Sequence, residues 1–241
     1  MKNLFVFALA ALAAYFYFTK PEIRSSIDKE VQKISQVSGG GTDSADTTIE
    51  VDVQEKINSG KYTQEEIEYF NEVALTSEYD NIDAGHACTW KTDMNIYVSN
   101  ERPEYLMEEL NRIVNELNDI IEPININIVE NKSDANFIVC FGSESDMHKL
   151  APGSESFTPN NWGLFTVNTG STIKRGSMYV DIYRCKSVDG QKHLLREELT
   201  QSLGVFNDSY KYENSIFQQK WTEVTEYAPI DIRVLEMLYN N

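Results

Sequence analysis

The residues best equipped for chemistry lie together in REELTQSLGVFND, residues 196–208. Glu197 and Glu198 set two carboxyl groups side by side, and Gln201, Asn207 and Asp208 add further oxygen atoms just downstream. On a helix, His193, Glu197 and Gln201 share one face because they recur every four residues, while Leu195, Leu199 and Leu203 share the opposite face. Two carboxyls buried together resist joint ionisation, so one pKa rises and the pair can work as acid and base. Adjacent helical side chains diverge by about 100°, so such a pair needs another partner. Two plainer readings compete. The polar face is solvated and the helix stops at Gly204, or Glu197, Gln201 and Asn207 bond to one another and to loop amides, holding the turn after Gly204.

The elements that must position this segment follow from periodicity. Thr63 and Glu66 have the spacing of a capping box, and Ile67, Phe70, Val73 and Ala74 continue that helix. Residues 94–99 (MNIYVS) alternate as a half-buried strand. Pro103 opens a helix whose apolar positions Leu106, Leu110, Ile113, Val114, Leu117 and Ile120 recur every three or four residues. Strands are predicted at 124–129, 135–141 and 178–183, with a loop over 142–171 carrying Trp162 and Phe165. Helices follow at 193–203 and 229–239. This order predicts an α/β (α+β) domain, a mixed sheet with helices packed on it.

Composition narrows the partners. The 241-residue chain is 41% hydrophobic, enough for a core, and carries a formal charge of −17. That charge argues against nucleic acid and anionic lipid surfaces as partners, since both would repel the chain. A lysine near the start and an uncharged run over 3–19 predict a signal peptide or membrane anchor in residues 1–20. Residues 21–60 read as a polar helix (21–37) followed by a flexible linker (38–48), and 61–241 as the domain. The expected setting is therefore exported, at the cell envelope, with the N-terminal segment in the membrane if it is not cleaved. Export makes a disulfide available. Cys88 and Cys185 are expected to pair, leaving Cys140 as a small apolar residue inside a strand. His86, His148 and His193 lie far apart in sequence; His193, one turn before Glu197, could join a metal site, but the favoured reading is an exposed residue at the start of its helix. Trp162 and Phe165 could line or cap a cleft, and Tyr210, Tyr212, Trp221 and Tyr227 could form an aromatic rim; the favoured reading gives both groups a local packing role. No Ser-His-Asp, GxSxG, P-loop or GxGxxG pattern is present.

The spacing Glu-Glu-x-x-Gln-x-x-Gly-x-x-Asn resembles the helix HExxHxxGxxH of metzincin-type zinc peptidases, with each histidine replaced. The chain is more closely similar to an uncharacterised bacterial family, a domain of unknown function grouped with zincin-like peptidases. The residues that carry this are EELTQSLGVFNDS at 197–209, Ser215-Ile216-Phe217 and Met237-Leu238-Tyr239. The resemblance spans about residues 63–239. It implies a zincin-like metallopeptidase domain, a mixed twisted sheet with an active-site-type helix and a C-terminal helix. It also puts Glu197, Gln201 and Asn207 in the metal-ligand positions, Glu198 in that of the general base, and Gly204 and Asp208 in the motif turn. The family has no established activity to transfer. Replacing imidazoles by a carboxylate and two neutral amides argues against zinc, whereas an all-oxygen set suits calcium or magnesium better. Two functions are left. One is a non-zinc, degenerate peptidase scaffold that binds an envelope protein or a cell-wall ligand. The alternative is an atypical, peptidase-like hydrolase with Glu198 as general base and Glu197, Gln201 and Asn207 organising a metal or water.

Overall fold

The computed structural model describes residues 60–75, 87–168 and 172–240. The predicted anchor at 1–20, the polar helix at 21–37, the linker at 38–48 and His86 lie outside these residues. Among the described residues no helix is long and apolar enough to cross a membrane.

Among the described residues, five strands and five α-helices make up the domain. In chain order they are α1 (Gln64–Phe70), β1 (Met94–Asn100), α2 (Glu104–Ile120), β2 (Ile126–Ile128), β3 (Phe137–Gly142), α3 (Glu144–Leu150), β4 (Gly163–Val167), β5 (Gly176–Asp181), α4 (Val188–Gln201) and α5 (Pro229–Tyr239). A π-helical turn, Asn71–Leu75, extends α1. The predicted capping box opens α1: Glu66 donates its backbone N–H to Thr63 Oγ1 at 3.2 Å, and Thr63 donates its own to Glu66 Oε2 at 2.7 Å. The sheet runs β2-β1-β3-β5-β4. Its first four strands are parallel and β4 is antiparallel to β5. The expected mixed α/β sheet with a central and a C-terminal helix is present.

Burial explains the layering. Strand β3 alternates its faces: Phe137, Val139 and Phe141 enter the main core, while Cys140 packs with Met147 and Tyr179 on the other side. The main core closes over that first face with the apolar stripe of α2 and with Leu195, Leu199 and Leu203 of α4 and its exit. Val234 and Leu235 of α5 complete it.

Two elements inside the segment read as a loop are regular. These are α3 and the edge strand β4. The five residues of β4 are mostly half-buried, so its apolar alternation is weak, and the surrounding Asn, Gly and Ser mask it.

No disulfide joins Cys88 and Cys185; all three cysteines are buried thiols. The predicted pair sits at opposite ends of α4. Cys185 precedes the helix, its Sγ 3.7 Å from the Ser187 carbonyl. Cys88 meets the turn beyond the helix, where its carbonyl oxygen would be 2.3 Å from a Cβ at Gly204. A helix of 14 residues is about 21 Å long, and a disulfide needs Cα atoms within about 7 Å. That same contact, with a φ of +127° at Gly204, is why the turn requires glycine.

Helix α4 is fastened to α2 by charge as well as by leucines. Arg196 is fully buried and donates to Glu109 Oε1 at 3.0 Å and to Glu116 Oε2 at 2.5 Å. Its guanidinium lies 4.4 Å from the centre of the Tyr227 ring.

Candidate functional site

Helix α4 starts at Ser187, whose Oγ accepts the Gly190 N–H at 3.1 Å. From there it runs into the interior. His193, Arg196, Glu198, Thr200 and Gln201 are all buried, so the expected solvated polar face does not exist. Two features cover it. Strand β4 extends the sheet over the helix, and the chain after Gly204 returns across its far side. What remains open is a cavity of about 500 Å³ lined by the polar face of α4, Asp208, residues 160–163 and residues 218–221.

Glu198 lies at the wall formed by β4. Its carboxyl accepts the Phe165 backbone N–H, yet burial and the negative charge of Asp208 push its pKa up to about 8. The close approach depends on Gly163: a Cβ there would sit 2.6 Å from Glu198 Oε1 and 2.9 Å from its Cγ. Glu197, only 13% exposed, is also held well above the usual carboxylate range. Its causes are burial first, then the charges of Glu198 and Asp208. The two glutamates therefore behave as one proton-holding pair.

His193 is not the exposed residue expected; it is 2% exposed. Its Nδ1 is 2.8 Å from the Val224 carbonyl, to which it must donate. Nε2 faces Thr222 Oγ1 at 3.3 Å and Glu197 Oε2 at 3.5 Å. Burial lowers the imidazole pKa below its ordinary value, so the neutral ring presents Nε2 as an acceptor beside a protonated glutamate. His148 lies elsewhere, bonded to Thr158 Oγ1 at 2.7 Å.

The three predicted ligands separate. Glu197 and Gln201 share the cavity, and Gln201 Nε2 donates to Asp208 Oδ1 at 2.6 Å. Asn207 turns toward the extension of α1 instead: its backbone N–H reaches the Val73 carbonyl at 3.1 Å, and its Nδ2 reaches the Glu72 carbonyl at 3.4 Å. Asp208, expected only as part of the turn, takes the place in the cavity intended for Asn207. Among the described residues no group of three or more His, Cys, Asp or Glu side chains is placed to hold a metal ion.

The mouth carries two residues whose favoured role was local packing. Trp162 and Trp221 are 40% and 53% exposed and meet edge to face, centroids 5.7 Å apart. Trp221 also meets His193 edge-on at 6.0 Å. Phe165 and Tyr227 do pack as expected, Phe165 stacked on Phe206 at 6.0 Å and Tyr227 over Arg196. Nothing in the spacing marks the tryptophans, because a long connection brings Trp221 back against β4.

The family described as "Protein of unknown function (DUF2927)" matches residues 63–241. No curated protein matches the sequence. Among solved structures the chain is similar to two of myroilysin, each 10% identical to it. One has a TM-score of 0.43 and covers 71% of this chain and 93% of that one; the other has 0.38, 64% and 94%. Likeness of that degree bears on neither the site nor its chemistry.

Proposed function

This chain belongs to the DUF2927 family, and we propose that its domain is a hydrolase that activates water with carboxyl groups. One observation carries the reading: two carboxyl groups in unlike surroundings line one open cavity, Glu198 buried against β4 and Asp208 held by Gln201 Nε2 at 2.6 Å; burial and the Asp208 charge push the Glu198 pKa up to about 8. Paired groups whose surroundings drive their proton affinities apart supply an acid and a base at one pH. Glu198 gives its proton to the leaving atom as the scissile bond breaks. Asp208, held by Gln201 Nε2, takes a proton from the water whose oxygen forms the new bond. Solvent exchange returns the proton to Glu198. Glu197 lines the same cavity beside His193, its Oε2 3.5 Å from Nε2.

In this reading Glu198 is the acid and not the base that its motif position suggests, because burial keeps it neutral near pH 7. Zinc does not fit the donors present. Among the described residues lining the cavity His193 is the one imidazole, and Asn207 lies against α1 instead of in the cavity. No step runs through a metal. Export and tethering at the envelope through residues 1–20 belong to the same proposal and rest on the sequence.

The test follows the carboxyl carbons of ¹³C-labelled glutamates by NMR across pH 4–10, alongside hydrolysis of peptide, ester and glycoside panels. A resonance titrating near 8, absent in Glu198→Gln, and a hydrolytic activity that falls as pH rises through 8 and is lost in that variant are expected. Ordinary titration of every glutamate, or full activity in Glu198→Gln, overturns the proposal.

A further inference from the structure

Building on that acid–base reading, we propose that the substrate is a neutral glycan, bound across the Trp162–Trp221 mouth with its glycosidic oxygen at Glu198. Large indoles left this exposed beside a cavity mark a contact surface, since burial is their ordinary fate. Their flat faces suit the C–H faces of sugar rings, and each ring also carries an N–H donor for a hydroxyl.

The walls carry the same chemistry. Asn160, Asn161, Gln201 and Gln219 line the cavity, and the first two and Gln219 are exposed. An amide side chain offers both a donor and an acceptor, which is what a hydroxyl group also offers, so amide walls match a polyhydroxylated chain. Leu194 is the one aliphatic side chain among the described residues lining the cavity. That leaves little to hold an acyl chain or an apolar peptide side chain. Lys220 also lines the cavity; against that one cation, the Asp208 charge and the overall charge of −17 disfavour polyanions, uronates and phosphorylated polymers included. A volume of about 500 Å³ falls within the range of small-ligand sites, ~300–1,000 Å³.

Groups that line the cavity balance the reaction. The Glu198 proton passes to the glycosidic oxygen as the C1–O bond breaks. Water adds through oxygen to C1 and gives its proton to Asp208.

The experiment uses the full chain with chitohexaose and cellohexaose as neutral glycans, polygalacturonate as the anionic control and casein as the peptide control. Binding is read by tryptophan emission in Glu198→Gln, alone and combined with Trp162→Ala, Trp221→Ala or the corresponding Phe variants. Cleavage is read in the wild type by new reducing ends. We expect at least one neutral hexaose to shift the emission. Each Ala change should weaken binding at least about tenfold, with partial rescue by Phe. Binding without cleavage would uphold the glycan and defeat the hydrolase. Casein cleavage that depends on Glu198, with both hexaoses ignored, would keep the hydrolase and overturn the glycan. Neither hexaose binding, or binding indifferent to both tryptophans, overturns the proposal outright.

Discussion

Replacing Glu198 by glutamine should turn a pH-sensitive protein into a less sensitive one. Glutamine has nearly the same shape, and its side-chain oxygen can still accept the Phe165 N–H that the carboxyl accepts in the wild type. The sign follows from proton counting. Unfolded, the carboxyl titrates at its ordinary 4.5; folded, at about 8. Between these values the native protein holds one more proton than the unfolded chain, so stability is intact below pH 4.5 and falls as pH rises through 8. At about 1.4 kcal/mol per pH unit, the interval from 4.5 to about 8 amounts to about 5 kcal/mol. Glu197 adds to that difference, because without the Glu198 charge it ionises more readily and costs the variant less stability. Asp231, whose pKa burial raises to about 6, and His193 add their own pH dependence to both proteins and cancel in the difference. Urea denaturation at pH 4.5, 6, 7.5 and 9 measures that difference. The variant should match the wild type at pH 4.5 and exceed it by several kcal/mol at pH 9. An equal difference at both ends would mean that Glu198 is ionised throughout, and the acid assignment would fall.

Two further predictions concern the ends of α4. Gly204→Ala puts a Cβ 2.3 Å from the Cys88 carbonyl oxygen at a φ of +127°, and should cost about 3 kcal/mol or more by urea denaturation; a loss below about 1 kcal/mol would show that the turn readjusts. Because Cys88 and Cys185 lie at opposite ends of the helix, denatured protein should titrate three thiols without reductant, and added reductant should leave the melting temperature unchanged.

The strong periodicities were legible. Helix α2, β1, β3 and the capped start of α1 follow from apolar spacing and one Thr–Glu pair, since local pattern and tertiary burial agree there. The motif on α4 was legible as a cluster, but its surroundings were not. His193 reads as a surface residue until β4 and the returning chain cover it, and both coverings are non-local. Asn207 and Asp208 show the limit of spacing most clearly. They are adjacent, and the turn at Gly204 decides which one faces the cavity. The choice went to Asp208 because the amide of Asn207 reaches the Glu72 carbonyl at the end of α1, far away in sequence. The Cys88–Cys185 expectation failed for a related reason: cysteine counting carries no distances.

Gly163 and Glu198 occupy the same space, one by lacking a side chain and the other by filling the gap. That makes them a single heritable unit. A lineage that acquires alanine or anything larger at 163 must give up the long carboxyl at 198 or peel the edge strand away from the helix. A lineage that shortens 198 is released to vary 163. Across relatives, the residue at 163 should therefore report whether the acid at 198 is retained, even where the rest of the motif has drifted.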